Sequence, residues 1–228
     1  MLLYRPAKLI CLLVLISFPF QSQSADCFSK REPGLDWSGC MKSGKLLDDE
    51  DYTGGRFDDA DLSKSRLDRS NFSGASFIKT ELTRASLTHS QFSGSDLSKT
   101  VAYRANFDHS QFFSSIMAKS EMSRASFQSV VLIKIDWSKS ELGRINLSKA
   151  ELNQVDFQYS NLSRADFRGV SLTNIDMTGA YLFLTHFEGV DLSSVSGLMQ
   201  EQLNLSCGND STVLAEGLTQ PESWPCQE

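Results

Sequence analysis

A five-residue frame of large apolar residues runs without a break from Phe57 to Leu192, and it limits the possible folds more than any other feature of the chain. Of its 28 positions, 27 hold Leu, Phe, Met or Trp, where a shuffled chain would fill about six; the exception is Ala102. Two residues before each stands a second restricted position, which takes Ala, Ser, Thr, Val or Ile in every unit except the first, where it is Gly55. A helix cannot use this stride, because five residues overshoot one turn by about 140° and smear the apolar positions around its surface. A long strand cannot either, since an odd stride alternates faces. What remains is a short extended piece, in which the small and the large residue point the same way, followed by a corner. A chain of such pieces coils around its own side chains.

A longer period sets the number of sides. Arg84, Arg104, Arg124, Arg144 and Arg164 recur every 20 residues, as do Lys79, Lys99, Lys119 and Lys139. A three-sided coil would repeat every 15, yet that step from Arg84 meets Lys99, Ser114 and Ser129. Four sides fit.

Units such as Ala60-Asp61-Leu62-Ser63-Lys64, Ala105-Asn106-Phe107 and Ala165-Asp166-Phe167-Arg168-Gly169 resemble the pentapeptide-repeat family, and the resemblance spans residues 55–194. It implies an all-β fold, a right-handed quadrilateral β-helix of about seven coils, roughly 34 Å long at the usual strand spacing. The chain departs from the family pattern in its many serines at the small position, and in Ile or Val there between residues 130 and 190, which suggests a wider core. Residues 26–54 and 195–228 are then the terminal caps that a solenoid needs, the second with a short helix across 197–205.

Residues 1–25 carry Arg5 and Lys8, an apolar run broken by Pro19, and a small-residue exit at Ser22 and Ser24. This reads as a secretory signal peptide cleaved after Ser24, too short to cross a membrane, and the protein is expected in the periplasm or outside the cell. Cys27, Cys40, Cys207 and Cys226 remain, an even count that reads as two disulfides in an exported protein. Bonded cysteines need Cα atoms within about 7 Å, so two ends held apart by a solenoid require the pairs Cys27–Cys40 and Cys207–Cys226.

The formal charge of −6 becomes −8 without Arg5 and Lys8, which disfavours nucleic-acid binding. A charged strip stands out nonetheless: Lys79, Glu81 and Arg84, then Arg104, then Glu121 and Arg124, then Glu141 and Arg144, ending at Arg164. Its readings are a solvated face laced with salt bridges, in which the Glu column compensates the Arg column, or an anion- or polymer-binding strip. A candidate interaction patch consists of Phe113, Val131 and Ile133, normally polar outward positions that stack in adjacent coils and give either cross-strand packing or a protein contact. His89 and His109 should stack as corner residues. The acidic stretch of residues 48–51 lacks calcium-loop spacing. Tyr181, Phe183 and Leu184 break the polar rule together and are expected under the C-terminal segment, beneath Trp224.

No nucleophile elbow, phosphate loop, general-base pair or metal spacing is present in the sequence, so no catalytic residue, cofactor or metal is assigned. The expectation is a non-enzymatic, rigid structural or protein-interaction scaffold, monomeric or weakly homo-oligomeric. It would bind a protein partner but no nucleic acid, and would keep no stable membrane anchor once the leader is removed. The resemblance leaves two alternatives: a gyrase-binding mimic of DNA, as in some family members, or a secreted effector that binds a host protein.

Overall fold

The computed structural model describes residues 25–226. Of residues 1–25, read from the sequence as a leader, only Ala25 is among the described residues. Among them no helix is long and apolar enough to cross a membrane.

Each five-residue unit is built alike. One residue bridges to the next coil, the large apolar residue after it points inward, two residues turn the corner, and the small residue points inward again. In the Phe57–Ala60 turn the Ala60 N–H donates to the Phe57 carbonyl at 3.0 Å, and Asp59 takes φ 56°. A positive φ at the third residue of a four-residue turn is the requirement of a type II turn, usually met by glycine. Gly74 and Gly94 meet it here, but Arg84, His89 and Lys99 adopt φ of 58–60°. Their side chains leave the body of the coil at the corner, clear of the core.

The bridging residues pair in parallel with those 20 residues on, which confirms four sides. One ladder runs from Asp36 through Arg56, Ser76 and Asp96 to Ser196 in eight coil-to-coil steps, one more than the sequence frame suggests. The extra coil is residues 35–54, expected to be cap; Leu35, Trp37, Leu47 and Tyr52 are buried in it. The frame misses this coil because Tyr52 and Lys42 stand at two of its large positions and Glu50 and Lys45 at two of its small ones. The Lys42 ammonium lies over the Trp37 ring at 4.2 Å and donates to the Cys27 carbonyl, so the first coil is closed by a lysine rather than a leucine. The cap proper shrinks to about residues 25–34.

Inside, like residues stack at the coil spacing. Phe72, Phe92 and Phe112 form a continuous stack with centroids 5.1 and 4.5 Å apart, and Phe57 stacks on Phe77 at 4.7 Å. The serines and threonines at the small position are buried and hydrogen-bonded, most of them between coils and Ser95 and Ser160 within their own turn. Ser90 Oγ donates to the Leu67 carbonyl at 3.1 Å and accepts from the Ser70 N–H at 3.2 Å, while Thr100 Oγ1 donates to the Phe77 carbonyl at 2.7 Å. A hydroxyl buried with its bonds satisfied is tolerated where an orphaned one would cost about 1–3 kcal/mol.

Toward the C-terminal half ladders lengthen into strands: β1 (Gln111–Phe113), β2 (Val131–Asp136), β3 (Glu151–Asp156), β4 (Ser171–Thr173), β5 (Ile175–Asp176) and β6 (Val195–Ser196), and Ile135, Val155, Ile175 and Val195 hold the small positions within β2, β3, β5 and β6. Ile135 pairs with Val155 in register, in keeping with the preference of branched side chains for extended backbone. The one helix among the described residues, α1 (Gln200–Leu203), is shorter than the sequence suggests, and its Leu203 is fully buried. Beyond it Cys207 pairs with His186 and Val213 with Asp191, adding a partial coil on which Trp224 rests.

Candidate interaction surfaces

The patch residues lie on the side whose ladder passes through Gln91 and Gln111. Strand pairing sets Phe113 against Ile133 and Gln111 against Val131 in adjacent coils. Ile133 then faces Asn153, and Val131 faces Glu151, so the apolar group is bounded along the solenoid axis. All three patch residues are half-buried. Their outward atoms form a small apolar island on a polar side.

The charged strip occupies the opposite side, whose ladder runs Glu81, Val101, Glu121, Glu141, Asn161, Tyr181. Two corner ridges rim it. One carries Lys79, Lys99, Lys119 and Lys139, the other Arg84, Arg104, Arg124, Arg144 and Arg164, and all nine side chains are exposed. The expected compensation of arginines by glutamates does not occur: among the described residues no ion pair joins the two columns. The reason is the corner. A left-handed residue aims its side chain off the edge, whereas the glutamates leave from the flat of the strand. The glutamates are occupied locally instead: Glu81 Oε1 accepts from the Thr83 N–H at 2.8 Å and Glu141 Oε2 from the Asn161 amide at 2.9 Å. Arg104 lies over the Tyr103 ring at 5.2 Å.

The same side ends in exposed aromatics. Tyr181 and Phe183 remain 50% and 38% exposed, against the expectation that the C-terminal segment covers them, and their rings are 11° from parallel with centroids 6.3 Å apart. Trp224 goes elsewhere. Its ring packs on Gly208, where a Cβ would come within 2.4 Å, and its Nε1 donates to the Ser206 carbonyl at 2.8 Å. Only Leu184 is drawn under the segment, its N–H donating to the Leu205 carbonyl at 2.7 Å. Tyr159, 61% exposed, occupies the corner that continues the lysine ridge and lies on Gly179, which leaves its ring room. Its place at the next 20-residue step after Lys79, Lys99, Lys119 and Lys139 is the signal for it in the sequence.

The remaining candidates are structural in their contacts. His89 and His109 stack at 4.9 Å. The acidic stretch is paired to the neighbouring coil, Asp48 with Arg66 and Asp49 with Arg69, and the Thr53 side chain and N–H hold the Asp51 carboxyl below the usual carboxylate range. Among the described residues no group of three or more metal-ligating side chains is placed to hold an ion. The structure joins Cys27 to Cys40 and Cys207 to Cys226, with Cα atoms 5.5 and 5.3 Å apart. The second disulfide borders a shallow depression with Arg164, Arg168, Leu184, His186 and Glu188. Arg168 is held by Asp166 at 2.8 Å and His186 by Glu188 at 2.9 Å.

A family model for pentapeptide repeats matches the chain in eight copies, over residues 56–94, 80–118 and 160–196. Among solved structures the chain is similar to a trypsin-treated variant of QnrB1, a plasmid-mediated fluoroquinolone resistance protein. The TM-score is 0.65 and the identity 19%, covering 77% of this chain and 90% of that one. It is also similar to HetL, a pentapeptide repeat protein involved in heterocyst differentiation regulation from the cyanobacterium Nostoc sp. strain PCC 7120. There the identity is 18%, over 86% and 90% of the two chains, at a TM-score of 0.28. No curated protein sequence matches. At these identities the likeness to QnrB1 speaks to the fold alone.

Proposed function

The chain belongs to the pentapeptide-repeat family, and from that premise we propose that it is an exported, non-enzymatic scaffold that docks a protein partner on the side bearing Phe113, Val131 and Ile133. The observation that carries this reading is the register of Phe113 on Ile133 in mid-solenoid. An apolar island there is needed by neither cap, and the inward Phe112 and Leu132 already fill the core beneath it. Flat sides with side chains at fixed spacing suit docking better than chemistry, which asks for a cleft with convergent groups. Export is supported by the character of residues 1–25 and by two disulfides, a bond type that persists in oxidising compartments.

The test is affinity capture from intact periplasm with the parent and with Phe113→Ser/Ile133→Ser. Both positions face outward, so the variant should fold like the parent and lose its partner by at least tenfold in affinity. Equal capture by an equally folded variant overturns the docking side. N-terminal sequencing of the exported material should begin at Ala25, and retention of the full chain in the cytoplasm overturns export.

A further inference from the structure

The side opposite the docking patch carries a combination that a solvated face does not need. Two ridges of exposed cations run along its edges, Glu81, Glu121, Glu141 and Asn161 run down its middle with Val101 as the one apolar break, and Tyr181 and Phe183 lie nearly parallel and exposed at its C-terminal end. None of the five ridge arginines has a carboxylate within ion-pair distance among the described residues. Five like charges spaced by one coil, about 4.8 Å, repel one another, and that repulsion is relieved by a ligand whose anionic groups recur at a similar interval.

We propose that this side binds a linear acidic polysaccharide, a chain of sugars bearing about one carboxylate each, laid along the solenoid axis. A pyranose residue advances by about the distance between coils, and along an extended chain the carboxylates turn alternately to opposite edges, where the arginine and lysine ridges lie. Glu121, Glu141 and Asn161 accept hydrogen bonds from sugar hydroxyls, a role for which a polymer of bare phosphates has no donors. Tyr181 and Phe183 offer a flat apolar surface for the C–H face of a terminal sugar, which explains why two large aromatics stay in water there. The glutamate column argues against nucleic acid, whose charge is denser and whose hydroxyls are few. Tyr103 steadies the Arg104 guanidinium through its ring.

The experiment is calorimetric titration of the full, disulfide-bonded protein with a polygalacturonate oligomer, and with neutral dextran, polyphosphate and oligodeoxythymidylate. Polygalacturonate should bind tightest, with an affinity that falls as salt is raised, and dextran should not bind measurably. Arg104→Gln/Arg124→Gln/Arg144→Gln should weaken polygalacturonate at least tenfold. Tyr181→Ala/Phe183→Ala should weaken polygalacturonate several-fold while leaving polyphosphate unchanged, a split that simple charge attraction does not produce. Phe113→Ser/Ile133→Ser should leave polygalacturonate binding unaltered, so a failure here is separable from a failure of the protein-docking reading. No binding of polygalacturonate, an unaffected arginine variant, or equal or tighter binding of oligodeoxythymidylate or polyphosphate overturns the proposal.

Discussion

Carboxylates that share a chemical identity behave differently along one ladder. Asp136, Asp156 and Asp176 pair in successive coils, so three acids face each other at the strand spacing. Burial pushes the Asp156 carboxyl above its usual range, and the charges of Asp136 and Asp176 add to this against the opposing N–H of Gln158. Burial also acts on Asp176, but bonds from the Thr178 side chain and backbone and from Gln158 outweigh it and hold that carboxyl down. A raised folded-state value means that ionised Asp156 costs stability at neutral pH, and the cost disappears as pH falls through that value toward about 4, where the unfolded carboxyl titrates. Asp156→Asn keeps the oxygen that accepts from Gln158 at 2.7 Å and removes the charge. Its melting temperature should exceed the parent's by about 1–3 °C at pH 7, with the gain fading near pH 4. A gain independent of pH would show that charge is not the cause.

The two caps solve the same problem with different elements. At the N-terminus a few residues tied by Cys27–Cys40 and the stem of Lys42 cover Trp37 and the first coil. At the C-terminus α1 buries Leu203, Cys207 and Val213 extend two ladders, and Trp224 lies on Gly208. The Phe187 N–H depends on the Cys207 carbonyl at 2.8 Å, so the last full coil is hydrogen-bonded by the cap. Removing residues 207–228 should raise the binding of a dye that reports exposed apolar surface and lower the melting temperature by several degrees, since the disulfide loop alone contributes about 3 kcal/mol. Tyr181 and Phe183 are bare in both forms, so the added dye signal should survive Tyr181→Ala/Phe183→Ala. Unchanged dye binding on truncation would refute the capping role.

A solenoid is nearly one-dimensional, because each coil touches only its neighbours. Phe92 is stacked between Phe72 and Phe112 and touches Phe107 edge-on at 5.9 Å, with no contact to the coils of Phe167 or Phe187. Phe92→Ala should cost about 3–5 kcal/mol, as a buried aromatic does. The loss should stay local: amide exchange should quicken in the coils between residues 72 and 112 and stay at the parent rate around 162–187. Uniform loss of protection along the chain would show that the coils unfold as a single unit.

The stride of five and the register of 20 were legible in the sequence because both are local: each unit restates which residues point inward, and each coil repeats the last. From them followed four sides, the stacking of His89 on His109, and the adjacency of Phe113 and Ile133. The first coil was not legible, since Tyr52, Glu50, Lys45 and Lys42 break the frame and only the lodging of Lys42 over Trp37 shows how a lysine replaces a leucine. Nor was the fate of the charged strip. Sequence put glutamates beside arginines, but whether neighbours pair depends on the direction in which side chains leave the backbone, and the left-handed corner sends the arginines off the edge. The covering of Tyr181 and Phe183 failed for a related reason. Composition says that bare aromatics call for a lid, but where a lid lands is set by the path of the chain, and Gly208 offered Trp224 a flat seat that those rings did not.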